Sequence, residues 1–448
     1  MNTPIVDFVR KYADSDCVRL HMPGHKGKEF IGPEKYDITE IDSADVLYSA
    51  EGIIKESENN ASRLFSSFRT YYSVEGSSLC IKAMLAMVLS DRENKGRKPL
   101  VLAARNAHKA FVYSAVLLDY DVEWLYPELF EHICSCNITA DEVEYKLKSM
   151  EALPDAVYVT SPDYLGNILD IESIAKVCDR YNIPLLVDNA HGAYLRFFEQ
   201  SRHPINLGAY MCCDSAHKTL PVLTGGAYLH LSQKAAKLEN KAEPMLSLFA
   251  STSPSYLIMQ SLDRCNLYLS EDFRKKLYDI VKIVDNTKKQ LIDMGYVLSG
   301  NEPLKLTVDV RKSGLMINDV LLRLKMHKVI PEYYDNDYVV FMFSAENSQN
   351  DAEMLIKAFS KHNPTSFVGN DDLTEKRCYG KKMKSIREAF FSEKKKVPVC
   401  NAVGKICADV SVGCPPAIPV TVCGEEITEA AVDIMMAAGI KEIEIVSE

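Results

Sequence analysis

No C-x-x-C pair occurs among the thirteen cysteines of this 448-residue chain, and their number is odd. Neither a disulfide framework nor a zinc ribbon is suggested, and Cys212–Cys213 or Cys134 and Cys136 stand too close in sequence for an ordinary bridge within each pair. Reduced thiols in a cytoplasm are the simplest expectation. No run reaches the roughly eighteen apolar residues of a membrane span. The amino-terminal stretch MNTPIVDFVRKYADSD carries charges throughout and lacks an apolar signal core, so neither secretion nor a membrane partner is expected. No basic block dominates: 52 Lys and Arg stand against 62 Asp and Glu, a formal charge of −10. That balance argues against nucleic acid and mildly favours a cationic small substrate. Internal repeats and low-complexity tracts are missing too.

What is present fits an ordinary soluble protein, 47% hydrophobic and 25% charged, and too long for a single core. From about residue 70 to 230 a β-loop-α rhythm recurs, with strands at 71–74, 100–104, 156–160, 184–188 and 225–231 and helices at 79–89, 111–118 and 171–181. This predicts an α/β class with a mostly parallel sheet covered by helices. Residues 1–14 read as an amphipathic helix, 19–27 as an ordered polar loop, and 37–62 as an arm with one short helix. A buried or interface helix is expected within 246–270 and a long one over 271–294. Beyond 304 the pattern changes to α+β, with strands at 304–310 and 338–343 and a helix at 317–327. Residues 362–377 are the best linker, followed by a helix at 383–391 and short strands punctuated by prolines. The expected organisation is an arm (1–62), a large domain (63–295), a small α+β domain (296–365) and a C-terminal domain (366–448).

Two stretches carry the chemistry. Lys218 lies among small and hydroxyl residues in Asp214-Ser215-Ala216-His217-Lys218-Thr219, thirty positions after Asp188, which closes the apolar run Leu185-Leu186-Val187. Such a pair suits pyridoxal 5'-phosphate (PLP) held on the lysine, because that ring is an electron sink only while a counter-charge keeps its pyridine nitrogen protonated. The plain alternative is a surface lysine and a strand-end acid. Gly76-Ser77-Ser78 precedes a strongly helical run, so its hydroxyls and free N–H groups either bind phosphate or simply cap the helix. His108 falls at a strand-to-helix turn on the edge where open α/β sheets place ligands. It would stack on a flat ring or cap the helix. His21, His25 and Lys26 beside glycines either line an anionic pocket or form an exposed basic turn, and Gly225-Gly226 would allow close approach to the cofactor.

Together these residues resemble the PLP-dependent ornithine/lysine/arginine decarboxylases of fold type I, the aspartate-aminotransferase-like fold. The resemblance runs in order through HMPGHKG (21–27), RNAHKA (105–110), TSPDYLG (160–166), VDNAHGA (187–193), SAHKTLPVLTGG (215–226), STSPSYL (251–257) and CPPAIPVTVCGE (414–425). It implies a seven-stranded-type sheet in the large domain and a smaller α+β C-terminal part. By it, Lys218 forms the Schiff base, Asp188 pairs with the pyridine nitrogen, and Ala190 and His108 cover the two ring faces. Gly76, Ser77, Ser78, Ser215 and His217 would hold the phosphate, with His191 and Thr219 nearby, and Glu332 would meet the distal cation of a basic amino acid. The implied reaction is decarboxylation of arginine, lysine or ornithine to a polyamine precursor, in a homodimer or higher homo-oligomer with 251–257 near the seam. The chain begins at the first motif, as in the shorter, biosynthetic-type branch without an N-terminal wing domain. It departs from the family pattern at Glu75 (commonly Asn), Leu79 (commonly small or hydroxyl), Asn189 (commonly Glu), and Cys414, Ala417 and Cys423 (typically Tyr, Gly and Pro).

Three other readings stand beside this one. An aminotransferase or β-eliminating lyase would use the same lysine, acid and phosphate cradle. A metal-dependent hydrolase would use Asp188, His191, His217 and Cys212 or Cys213. A catalytically silent homologue would keep the fold alone.

Overall fold

Short runs of β-branched, aromatic and small apolar residues form the strands, and the computed structural model describes them within residues 1–92, 95–360, 378–410 and 416–447. In chain order they are β1 (Arg69–Ser73), β2 (Leu100–Ala104), β3 (Asp121–Leu125), β4 (Ala156–Thr160), β5 (Leu185–Asp188), β6 (Met211–Asp214), β7 (Ala227–Leu231), β8 (Val297–Ser299), β9 (Lys305–Asp309), β10 (Tyr333–Tyr334), β11 (Tyr338–Met342), β12 (Lys394–Pro398) and β13 (Glu442–Val446). The chain divides into two units that interleave along the sequence. The first comprises Met1–Asn94, Asp155–Ser161 and Asp170–Leu277, and the second Lys95–Pro154, Pro162–Leu169 and Tyr278–Glu448.

In the first unit the strands run in the order β1-β7-β6-β5-β4. Pairs β4–β5 and β5–β6 are parallel, while β7 is antiparallel to both β6 and β1. Every residue of β1, β5, β6 and β7 is buried, which explains why Leu185-Leu186-Val187 of β5 reads as a continuous apolar run rather than an alternating one. Helix Ser77–Asp91 is apolar on all sides and is buried along its length, as a helix without a polar face must be. Helix Pro4–Ala13 is amphipathic, and Pro4 begins it where a missing N–H costs nothing. Its Ile5 and Val6 N–H groups donate to Asp263 Oδ2, both at 3.0 Å, so an acid from helix Tyr256–Ser270 satisfies two of the orphan donors at its start.

The second unit holds the parallel pair β2–β3 and a four-stranded antiparallel sheet ordered β10-β11-β9-β8. Ladder β12–β13 closes a separate core that includes Val397, Val399, Cys407, Val432, Ile443 and Ile445. The α/β class with a mostly parallel sheet and a smaller α+β part is therefore the observed one.

Three local expectations change. Residues 37–62 read as an arm with one short helix, but Ile53–Phe65 is a full thirteen-residue helix. Its polar composition is deceptive because Ser57, Glu58 and Asn60 point inward, Glu58 meeting Arg69 at 3.0 Å and the Tyr72 N–H at 2.9 Å. The stretch 246–270 contains two helices, Glu239–Phe249 and Tyr256–Ser270. Ser255 caps the second by accepting from the Ile258 N–H at 3.4 Å. After 391 the chain is not only short strands: helix Glu429–Ala437 starts at Thr428, whose hydroxyl accepts from the Ala431 N–H at 3.1 Å. The expected linker, 362–377, and Cys414 lie outside the described residues. The twelve described cysteines are free thiols, ten of them buried and two, Cys17 and Cys400, exposed. Among the described residues, no helix is long and apolar enough to cross a membrane.

Candidate active site

Parallel strands β5 and β6 end side by side, with Asp188 opposite Cys213. β6 closes on Asp214, Ser215 follows, and the turn Ala216–Thr219 presents Lys218. The Lys218 amine lies 2.7 Å from Nε2 of His191, itself buried. Burial raises the Asp188 pKa, and the charge on Lys218 opposes that rise. Three donors hold the carboxylate further: the Ala190 N–H at 3.2 Å, the Tyr158 hydroxyl at 3.2 Å and the Cys213 thiol at 3.8 Å. The lysine's charge thus favours the anionic form of an acid that is itself buried.

A helix start adjoins the lysine turn through Ser215 and Ser77. Helix Ser77–Asp91 starts behind Gly76, whose φ of 72° suits glycine and whose N–H donates to the Gly225 carbonyl at 2.7 Å. Neither Ser77 nor Ser78 is the N-cap, no side chain caps the helix, and no acid occupies its first turn. Its positive dipole end is therefore uncapped by any side chain and could meet an anion. Ser215 Oγ donates to Ser77 Oγ at 2.8 Å, joining the two hydroxyls, and Ser78 is half-buried. The Thr219 hydroxyl is buried without a partner. His217 donates from Nδ1 to the Gly226 carbonyl at 2.9 Å, and burial lowers its pKa. Both Gly225 and Gly226 are crowded by neighbouring protein atoms. A Cβ at Gly225 would meet the Val74 carbonyl oxygen at 2.9 Å, and one at Gly226 would overlap Val222.

His108 and Glu332 belong to the second unit. His108 is the N-cap of helix Lys109–Leu118: its Nδ1 accepts from the Ala110 N–H at 3.1 Å, and the Lys109 N–H donates to the Ala417 carbonyl at 2.9 Å. Glu332 is exposed and accepts from the Tyr164 hydroxyl at 2.8 Å. The basic groups of the 21–27 loop are engaged within the arm. His21 meets the Tyr12 hydroxyl at 2.6 Å, His25 meets Asp37 at 3.2 Å, and Lys26 donates to the His21 carbonyl. The exposed-turn reading of that loop is the one its contacts favour.

Two features carried no sequence signal. Tyr158 reads as strand core and Cys213 as a reduced thiol or, on the hydrolase reading, a metal ligand, yet both donate to Asp188. Asp214 accepts from Asn189 Nδ2 at 2.6 Å, from His203 Nε2 at 3.0 Å and from His230 Nε2 at 3.1 Å, with all four side chains in the interior. Burial pushes the Asp214 pKa up, but the two imidazoles outweigh it and hold the carboxyl well below its usual range. Among the described residues, possible metal ligands converge at His203, Asp214 and His230 and at His132, Asp335 and Asp337. Neither group is the set Asp188, His191, His217 and Cys212 or Cys213.

Comparison with known proteins adds an independent line. Residues 3–307 match the family described as Orn/Lys/Arg decarboxylase, major domain. The arginine decarboxylase of Bacillus subtilis (strain 168) is 27% identical over 460 residues, covering 95% of this chain and 91% of that protein. The arginine decarboxylase of Halalkalibacterium halodurans is 28% identical over 459 residues, covering 96% and 91%. The crystal structure of a Francisella novicida lysine decarboxylase superposes with a TM-score of 0.80 at 17% identity, covering 99% of this chain and 81% of that one. That last likeness speaks for the fold, which is fold type I.

Proposed function

Because this chain belongs to the Orn/Lys/Arg decarboxylase family, we propose that it removes the α-carboxylate of a basic amino acid as CO2, with PLP carried on Lys218. The observation that bears most weight is the Lys218 amine 2.7 Å from His191 Nε2 while its charge acts on buried Asp188. The residues present suit the cofactor: an uncapped helix start behind Gly76, the joined Ser77 and Ser215 hydroxyls, and the orphaned Thr219 hydroxyl match a phosphate. Ser78 and His217 complete the proposed cradle. When bound, PLP supplies the electron sink for breaking the bond to the carboxylate.

The chain's own groups do the rest. Asp188 would pair with the pyridine nitrogen, the ring's positive charge stabilising a carboxylate that burial alone disfavours. Its three donors favour the anion and so would help keep the proton on the ring. His191 accepts a proton from Lys218, freeing the nitrogen lone pair for bond formation. Ala190, its N–H spent on Asp188, offers a small side chain against one ring face. For His108 we propose ring stacking and for Glu332 recognition of the substrate's distal cation, roles that rest on the family resemblance.

We also propose a cytoplasmic homodimer with 251–257 near its seam. Exposed Val18, Leu20, Phe30 and Ile31 along the arm, and exposed Ser251 to Ser253, support a partner-covered surface. The four-part domain division is kept as a proposal, supported at its C-terminal end by the separate core around Val397 and Ile443. The test of the activity is a panel of arginine, lysine and ornithine supplied to the PLP-loaded protein. Release of CO2 with agmatine or a diamine supports the reading, and a keto-acid product overturns it.

A further inference from the structure

Asn189 directly follows Asp188 at the end of β5, and Asp214 stands four residues before Lys218 at the end of the neighbouring parallel strand β6. Their side chains meet at 2.6 Å, the amide donating to Asp214 Oδ1. His203 Nε2 lies 3.2 Å from that same oxygen and 3.0 Å from the other, Oδ2, which also takes His230 Nε2 at 3.1 Å. The side chains of all four residues are at 0% exposure. His203 Nδ1 accepts the Ile205 N–H at 3.4 Å, so its proton resides on Nε2, and His230 Nδ1 meets the Thr70 hydroxyl at 2.8 Å. That tautomer speaks against a metal: ligation through Nε2 would move the proton to Nδ1, where it would face a second donor. The cluster is a hydrogen-bonded anion with one amide and two imidazoles around it.

Position 189 is one of the departures from the family pattern, Asn standing where Glu is common. A glutamate there would press a second carboxylate against Asp214 in a dry interior, which is unfavourable unless one takes a proton. We infer that Asn189 and Asp214 are a matched amide–carboxylate pair, positioning residues that lock together the two strand ends carrying Asp188 and Lys218. The inference rests on the PLP reading for its functional half only. The amide leaves one negative charge at this depth, and that charge orders three separate segments behind the lysine turn.

An isosteric exchange tests it: Asn189→Asp, Asp214→Asn and the two combined. Asn189→Asp places two buried acids together, and Asp214→Asn removes the anion that both imidazoles address. In the double variant the amide introduced at position 214 can accept from both histidines through its carbonyl oxygen, while its NH2 donates to the carboxylate introduced at position 189. The amide–carboxylate contact and one contact to each histidine are then remade with the charge moved by one strand, and only the longer approach of His203 to Oδ1 is lost. Each single variant should weaken PLP binding at least about tenfold, and the exchange should return it to within about threefold of wild type, as expected of directly coupled groups. The pH midpoint of the visible absorption of bound PLP should move in the singles and return in the exchange. Singles that bind PLP like wild type, or an exchange no better than the worse single, would overturn the pairing. If a single variant does not fold, Asn189→Ala removes the donor without adding charge, and wild-type PLP affinity in that variant also overturns it. Should the wild-type protein itself take up no PLP, the decarboxylase reading fails separately. Thermal midpoints of the cofactor-free proteins then decide the pair: a double variant more stable than the summed singles supports it, and additivity refutes it.

Discussion

Removing one oxygen atom, in Tyr158→Phe, tests how Asp188 is tuned. The hydroxyl lies 3.2 Å from Asp188 Oδ2, and the two residues are 0 and 2% exposed. A hydrogen bond to a charged group is worth about 1.5–3 kcal/mol net, and one pKa unit corresponds to about 1.4 kcal/mol. Because the bond is worth more to the carboxylate than to the protonated acid, the variant should raise the Asp188 pKa, already lifted by burial, further still. The sign follows from proton binding. With its folded pKa above the unfolded one, Asp188 favours the folded state when protonated, and that contribution is lost as pH rises from the unfolded pKa through the folded one. Tyr158→Phe moves the upper edge of this window higher and deepens the loss. At acid pH, where Asp188 is protonated in both proteins, the deficit should be about 1 kcal/mol, the value of a neutral hydrogen bond, growing towards about 3 kcal/mol above the window. Urea unfolding of the cofactor-free protein at stepped pH measures this. In the PLP-loaded enzyme the acid limb of kcat/KM should shift upward. Stability curves that run parallel at every pH would refute the reasoning.

Three further outcomes are expected. Glu332→Gln should raise KM about tenfold or more with kcat little changed, the pattern of lost substrate binding, and Tyr164→Phe should move KM the same way by less, both read in steady-state kinetics. Ala417 adopts a φ of 58°, where glycine is at ease, so Ala417→Gly should stabilise by about 0.5–1 kcal/mol in urea unfolding. Burial pushes the Asp263 pKa up to about 6, so its protonated form favours the fold and about 3 kcal/mol is lost as pH rises from roughly 4 through 6. Hydrogen exchange of helix Pro4–Ala13 should follow that window in the wild type and lose the dependence in Asp263→Asn.

Much of the architecture was legible because strand and helix signals in this chain are local. Leu100–Ala104 and Ala156–Thr160 are apolar runs bounded by turn residues, and both form the expected strands. Asp188, Ser215 and Lys218 could be picked out because each stands at the end of such a run or in the turn after it. Where burial runs against polarity, the sequence misleads: Glu58 looks like surface, yet it is interior and its pKa is raised to about 7. Long-range polar contacts left no trace either. Asn189, His203 and His230 lie 25, 11 and 16 positions from the aspartate they share, and no spacing rule joins them. Gly225 and Gly226 suggested ligand space because a glycine's missing side chain says only that something is near, not what.

The distribution of sulfur makes this protein its own conformational gauge. With ten described thiols inside and only Cys17 and Cys400 outside, an alkylating reagent should reach two quickly and the remainder only when the structure opens. The slow phase of labelling would then report the opening rate of each unit, residue by residue in a mass spectrum, without any probe being engineered in.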